Sequence, residues 1–264
     1  DALNGLPPSS IIVTSDEGSA LERQASRAGW HSLSIPKMVG GRYSVFSSVG
    51  LFPLLMMGIN VQELQAGASA ILPRCLAASS SQNPALQMAA GLHYHRGEGR
   101  TIHDHFMFSN SLAGAGQWYR QLMAESLGKE FDAAGKKRLH AGITPTFSIG
   151  STDLHSMVQL YLAGPADKTF RFVHAVSFSS DPRVPHDERL ESLVPHAGGH
   201  ELSGLMGAIR AGAQSAFRSR HIPFADVSLP SLSPHALGQL MQMEMVETML
   251  LARLMNVNAF DQPA

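Results

Sequence analysis

Apolar positions in this chain switch between two spacings. Ile11–Thr14 and Ser32–Ile35 are short runs that predict strands, and Leu21–Ala28 between them repeats every three to four residues, predicting a helix that ends near Gly29. A glycine-rich stretch, Val39–Gly50, follows, and then the apolar run Leu51–Ile59. Strand, helix, strand, glycine loop and helix in that order are the grammar of an open parallel sheet. Val61–Ala78 and Pro84–His95 predict two helices, separated by Ser79, Ser80 and Ser81. Thr101–Phe108 predicts a strand and Asn110–Glu125 a long helix, with Gly128 as its stop. Ile143–Ile149 predicts a strand that runs into Gly150-Ser151-Thr152-Asp153, small oxygen-bearing residues that cap a helix over Leu154–Leu162.

Further on, Phe170, Phe172, His174, Val176 and Phe178 alternate along Lys168–Phe178, a strand pattern. Ser179–Pro195 is polar, holds three prolines and predicts a long loop. Glu201–Arg220 predicts a helix with Leu202, Leu205, Met206, Ile209 and Phe217 inward, and Pro223–Leu229 a last strand. Ser233-Pro234, a cap and a first-turn proline, opens a helix to about Met255. That helix is apolar on nearly all sides and is expected to be buried. The sum is a layered α/β fold of parallel strands joined by helices, with no short internal repeat and a boundary near Asn60.

Composition narrows this little. With 264 residues, 44% apolar and 16% charged, the chain describes a globular protein with a sizeable core. The net charge of −1 gives no reason to expect a nucleic-acid or anionic-membrane partner. The single Cys75 excludes an internal disulfide and suits a reducing, cytoplasmic setting. The longest apolar run, Val49–Ile59, is too short for a membrane span and contains Pro53. Residue 1 is Asp and the chain stops soon after a long helix, so a piece of a longer protein is expected.

In doubly wound sheets ligands sit beyond the carboxyl ends of the strands, and three places are assigned that position with reactive side chains. In Gly40-Gly41-Arg42-Tyr43-Ser44, glycines permit close backbone approach and Arg42 is a planar cation suited to an anionic or enediolate-like ligand. In QLMAESLGK, Gln121 and Glu125 share one helix face. Glu125 lies at the helix end, where the dipole disfavours a carboxylate and desolvation would raise its affinity for a proton. A solvated glutamate paired with Lys129 is the plain alternative. In GSTDLHSMVQ, His155 falls in the first turn of a helix, where an imidazole stays neutral and able to exchange protons; a histidine packed in a helix–strand joint is the alternative.

VGGRYSVFSSVG, AESLGK, GSTDLHS and the closing FDQP, in that order, resemble the glucose-6-phosphate isomerase family, most closely its bacterial type. The resemblance covers essentially the whole chain. It implies sugar-isomerase (SIS) domains, each a three-layer αβα arrangement of a parallel sheet flanked by helices. Residues 1–59 would be the remnant of a first such domain, 60–232 a second, and 233–264 a buried helix and the start of an active-site tail. It implies interconversion of glucose 6-phosphate and fructose 6-phosphate in glycolysis and gluconeogenesis, by a cytosolic homodimer without cofactor. By the same resemblance Glu125 would move the proton between C2 and C1, Arg42 would stabilise the cis-enediolate, and His155 would open the sugar ring from the neighbouring subunit. Gly41 belongs to the first signature, and Gln121 and Gln262 would hold substrate hydroxyls.

Some positions depart from the pattern. Ala264 stands where the family has Gly, Lys37 where it has an acidic or small polar residue, and Leu154 where it often has Gln. The family's catalytic lysine and its serine/threonine phosphate loop fall outside the 264 residues, which alone are therefore expected to turn over substrate negligibly. Three other readings stand beside this one: a glucose/mannose phosphate isomerase, a fusion with a transaldolase, and a non-catalytic SIS module that binds sugar phosphates. The pairs His93/His95, His103/His105 and His196/His200 have ligand-like spacing, but no paired Cys or HExxH accompanies them and no metal site is expected.

Overall fold

The computed structural model describes residues 6–261. Strands β1 (Ile12–Asp16) and β2 (His31–Ile35) pair in parallel, with α1 (Ala20–Ala28) crossing between them. The Ser19 side chain caps α1 by accepting from the Glu22 backbone N–H. The glycine-rich stretch then tightens into a 3₁₀ segment, Gly41–Phe46, and α2 (Ser48–Met56) follows behind the Ser47 cap.

The remainder runs α3 (Val61–Cys75), α4 (Pro84–Gly97), β3 (Ile102–Met107), α5 (Ala113–Leu127), β4 (Lys129–Phe131), β5 (Arg138–Ala141), β6 (Thr144–Ile149) and α6 (Thr152–Ala163). It continues with β7 (Lys168–Ser177), α7 (Glu188–Leu193), α8 (Leu202–Ser219), β8 (Phe224–Ser231) and α9 (Pro234–Leu254). Four strands form a parallel sheet in the order β6-β3-β7-β8. The register sets His105 opposite Phe147 and Arg171, so these side chains share one face. Helices α4, α5 and α9 cover that face, while α6 and α8 cover the other around Phe106, Phe170, Phe172 and Phe217. The result is the expected three-layer αβα arrangement with a parallel sheet.

Two helices touch backbone to backbone. A Cβ on Gly67 of α3 would lie 1.9 Å from the His235 carbonyl oxygen, and one on Gly238 of α9 would lie 2.0 Å from that of Leu64. Only glycine permits this approach. Helix α3 ends at Cys75 rather than Ala78 because the Asn83 side-chain amide donates to the Cys75 and Ala77 carbonyls at 2.7 and 2.9 Å. Within the predicted loop Ser179–Pro195 the chain makes α7, capped by Asp187. The antiparallel β4–β5 hairpin was absent from the pattern, since strands of three and four residues are too short to show a period. Helix α9 is buried as expected, yet it carries Glu244, Glu247 and Thr248 at 0% exposure. Among the described residues no helix is long and apolar enough to cross a membrane.

Candidate active site

The 3₁₀ segment after β2 buries Arg42, Tyr43 and Ser44 together. Ser44 Oγ donates to the Gly41 carbonyl at 2.6 Å, and Trp118 of α5 donates from Nε1 to the Arg42 carbonyl at 3.2 Å. The Arg42 backbone is thus held from its own turn and from α5. Gly41 stays exposed, with nothing within 4 Å of where a Cβ would stand.

The Arg42 side chain is 1% exposed and heavily committed. Nε donates to Ser126 Oγ at 3.0 Å, Nη1 to Glu125 Oε2 at 3.3 Å, and Nη2 to the carbonyls of Ala259 and Asp261 at 2.7 and 3.0 Å. A guanidinium has five N–H donors. One on Nε, one on Nη1 and both on Nη2 are engaged, which leaves the second N–H of Nη1 without a partner among the described residues.

Glu125 lies two residues before the end of α5, as expected, and its side chain is 35% exposed. Its Oε1 accepts from Gln121 Nε2 at 2.9 Å, across the helix face that the two were expected to share. Water reaches the Glu125 carboxylate, and Arg42 faces it. Lys129 is not its partner. Lys129 donates to the Asp261 carbonyl at 3.2 Å and is ion-paired with the Asp261 carboxylate. Glu125 opens on a cleft of about 790 Å³ that Trp118, Arg120, Gln121 and Pro145 also line. Chemically this is an accessible carboxylate base beside a fixed cation that has one donor uncommitted among the described residues.

The three predicted places do not share one edge of the sheet. Helix α5 leaves the carboxyl end of β3 and returns to the start of β6, so Glu125 sits at the amino edge, near Pro145. His155 is in the first turn of α6, beyond the carboxyl end of β6, and is exposed. The length of β6, on the order of 15–20 Å, separates them. Within this chain Arg42, Gln121 and Glu125 come together with Gly41 nearby, and His155 does not join them. Gln262 lies outside the described residues.

Sequence reasoning missed Ser126, which touches both Arg42 and Tyr43, and the segment Ala259–Asp261 that crosses the guanidinium. Ser126 had a signal: it falls on the inward face of α5 with Tyr119, Leu122 and Met123, where a lone hydroxyl needs a partner. Of the histidine pairs, His93 and His95 end α4, and His103 and His105 are buried in β3. Burial, followed by the Arg171 charge, holds both β3 imidazoles well below the usual histidine range. His196 and His200 lie in a turn, not on a helix, so their four-residue spacing does not align them. Among the described residues no three His, Cys, Asp or Glu side chains converge as a metal-holding group.

Fold and site together define a doubly wound α/β protein with a carboxylate–guanidinium site assembled from three distant segments. The chain belongs to the phosphoglucose isomerase family, whose model matches residues 30–264. It is 33% identical over 256 residues to a glucose-6-phosphate isomerase of Carboxydothermus hydrogenoformans, covering 96% of this chain and 54% of that protein. To the glucose-6-phosphate isomerase of Rubrobacter xylanophilus it is 35% identical over 261 residues, or 98% of this chain and 58% of that one. A crystal structure of a hypothetical protein from Thermus thermophilus superposes with a TM-score of 0.89 at 35% identity, covering 96% of this chain and 59% of the other. The chain thus spans about half the length of the curated relatives it matches.

Proposed function

We propose that the protein containing this chain interconverts glucose 6-phosphate and fructose 6-phosphate through a cis-enediol intermediate. The observation that carries this reading is the Arg42–Glu125 pair, with buried Arg42 behind a Glu125 that opens to a cleft, in a chain of the phosphoglucose isomerase family. Glu125 moves the proton between C2 and C1, and Arg42 offers its remaining Nη1 donor to the enediolate oxygen. Gln121 and Gln262 hold sugar hydroxyls, and the open space over Gly41 lets substrate approach the backbone. His155 opens the ring from a second subunit; its place at the opposite sheet edge supports a homodimer over a site completed within one chain. No cofactor enters this scheme, and the setting is the cytoplasm. Separate sheets before and after Asn60 support a first SIS domain ending at residue 59, a second over 60–232, and an active-site tail opened by 233–264.

The test is an assay of the complete gene product coupled to glucose-6-phosphate dehydrogenase, with fructose 6-phosphate as substrate. Robust turnover is expected, and negligible turnover by residues 1–264 alone. No isomerisation by the complete protein would leave the non-catalytic binding module. Mannose 6-phosphate in the same format with mannose-specific coupling separates the dual-specificity isomerase, and the complete gene sequence separates the transaldolase fusion.

A further inference from the structure

We infer that Ser126 is a positioning residue for this reaction: its hydroxyl fixes the plane of the Arg42 guanidinium, so that Nη1 faces Glu125, the residue that lines the cleft. The inference rests on the function proposed above and adds a residue to it. Rotation about the Cδ–Nε bond would swing Nη1 away from the carboxylate. Two anchors oppose that swing, at different edges of the guanidinium: Ser126 Oγ on Nε–H, and the Ala259 and Asp261 carbonyls on Nη2. Of these, only Ser126 shares a helix with the base. It follows Glu125 directly and lies about 100° further round α5, so Glu125 faces the cleft while Ser126 is 0% exposed. Base and anchor therefore move as one unit. Tyr43 Oη lies 3.0 Å from Ser126 Oγ and restricts the hydroxyl's direction; burial pushes the Tyr43 phenol up, which keeps it protonated as a neutral partner.

The experiment uses the complete gene product with Ser126→Ala, Ser126→Thr and Tyr43→Phe. Ser126→Ala is expected to lower kcat about 10- to 100-fold, the scale of a small misplacement at a reacting centre, with KM within about threefold. Ser126→Thr keeps the hydroxyl and is expected to recover kcat to within about fivefold of wild type. Tyr43→Phe is expected to cost only about two- to fivefold, because the acceptor for Nε–H remains. The second readout is ¹⁵N–¹H NMR of the Arg42 Nε–H, expected to exchange slowly in wild type and at least about tenfold faster in Ser126→Ala. A Ser126→Ala kcat within twofold of wild type, or unchanged Nε–H protection, overturns the inference. If Ser126→Ala does not fold, Ser126→Cys replaces it: a thiol accepts poorly, so an unchanged rate there also overturns it. A wild-type protein without isomerase activity would instead refute the proposed function, and the exchange measurement would still decide the anchoring.

Discussion

Arg42 is the residue on which the site turns, because its planar fork meets four acceptors that no point charge could serve at once. Arg42→Lys keeps the charge and loses the geometry. We expect kcat/KM to fall about 10²- to 10³-fold, and the freed carbonyls and hydroxyl to cost about 2 kcal/mol of stability. Steady-state kinetics and a urea titration on the same preparation check both, and a variant with more than half the wild-type rate contradicts the assignment. Lys129 carries a related lesson. Sequence spacing offers it to Glu125, but the chain returns from Val257 to Asp261 and supplies a competing carboxylate and carbonyl. Helical spacing cannot foresee a partner more than a hundred residues away.

Among the elements, α3 and α9 make the closest helix contact, and the glycines at their crossing are its condition. Gly238→Ala would set a methyl 2.0 Å from the Leu64 carbonyl oxygen, a backbone atom with little room to yield. A loss of about 3 kcal/mol is expected, read as a lower denaturation midpoint at unchanged m-value; an unchanged midpoint contradicts the packing. Long elements were legible in the sequence because their burial imposes a period. The Phe170–Phe172 alternation in β7 and the apolar stripe of α8 are such cases, and the parallel sheet follows from their order. The β4–β5 hairpin and α7 were not, since each is too short to repeat. In the site, the shared helix face of Gln121 and Glu125 was legible from their spacing, whereas joining Arg42 to them was implied only by the family resemblance. The wrong edge assigned to Glu125 came from a rule about strand ends applied to a residue at the far end of the following helix. Two glutamates three residues apart in a mostly apolar helix were a signal that went unused, because buried carboxylates demand a cation.

That cation belongs to the molecule as a whole. Arg171 of β7 is buried between the sheet and α9, ion-paired with Glu247 and 3.4 Å from Glu244, with Tyr119 of α5 beneath its guanidinium. Two carboxylates and one guanidinium leave an excess negative charge at 0% exposure, and burial outweighs Arg171 in pushing Glu244 up to about 8. His105 Nε2, 3.0 Å away, is held neutral by burial and can accept the Glu244 proton in a hydrogen bond. Between pH 4.5 and about 8 the folded chain therefore keeps a proton that the unfolded chain has released. Stability from this group is full below that window and is lost as pH rises through it. Glu244→Gln should remove the loss, so the stability difference between variant and wild type should grow from pH 5 to pH 8 in denaturant titrations. A difference that stays constant with pH contradicts a protonated Glu244. The same packing brings residue 42, the end of α5 and the segment at 259–261 to one edge of the sheet, where the chemistry is proposed. The most direct test is Glu125→Gln in the complete gene product, a change that keeps shape and the Gln121 contact but removes the base. A loss of kcat of at least about 10³-fold with a native fold and little change in KM is expected; isomerisation at the wild-type rate would contradict proton transfer by Glu125.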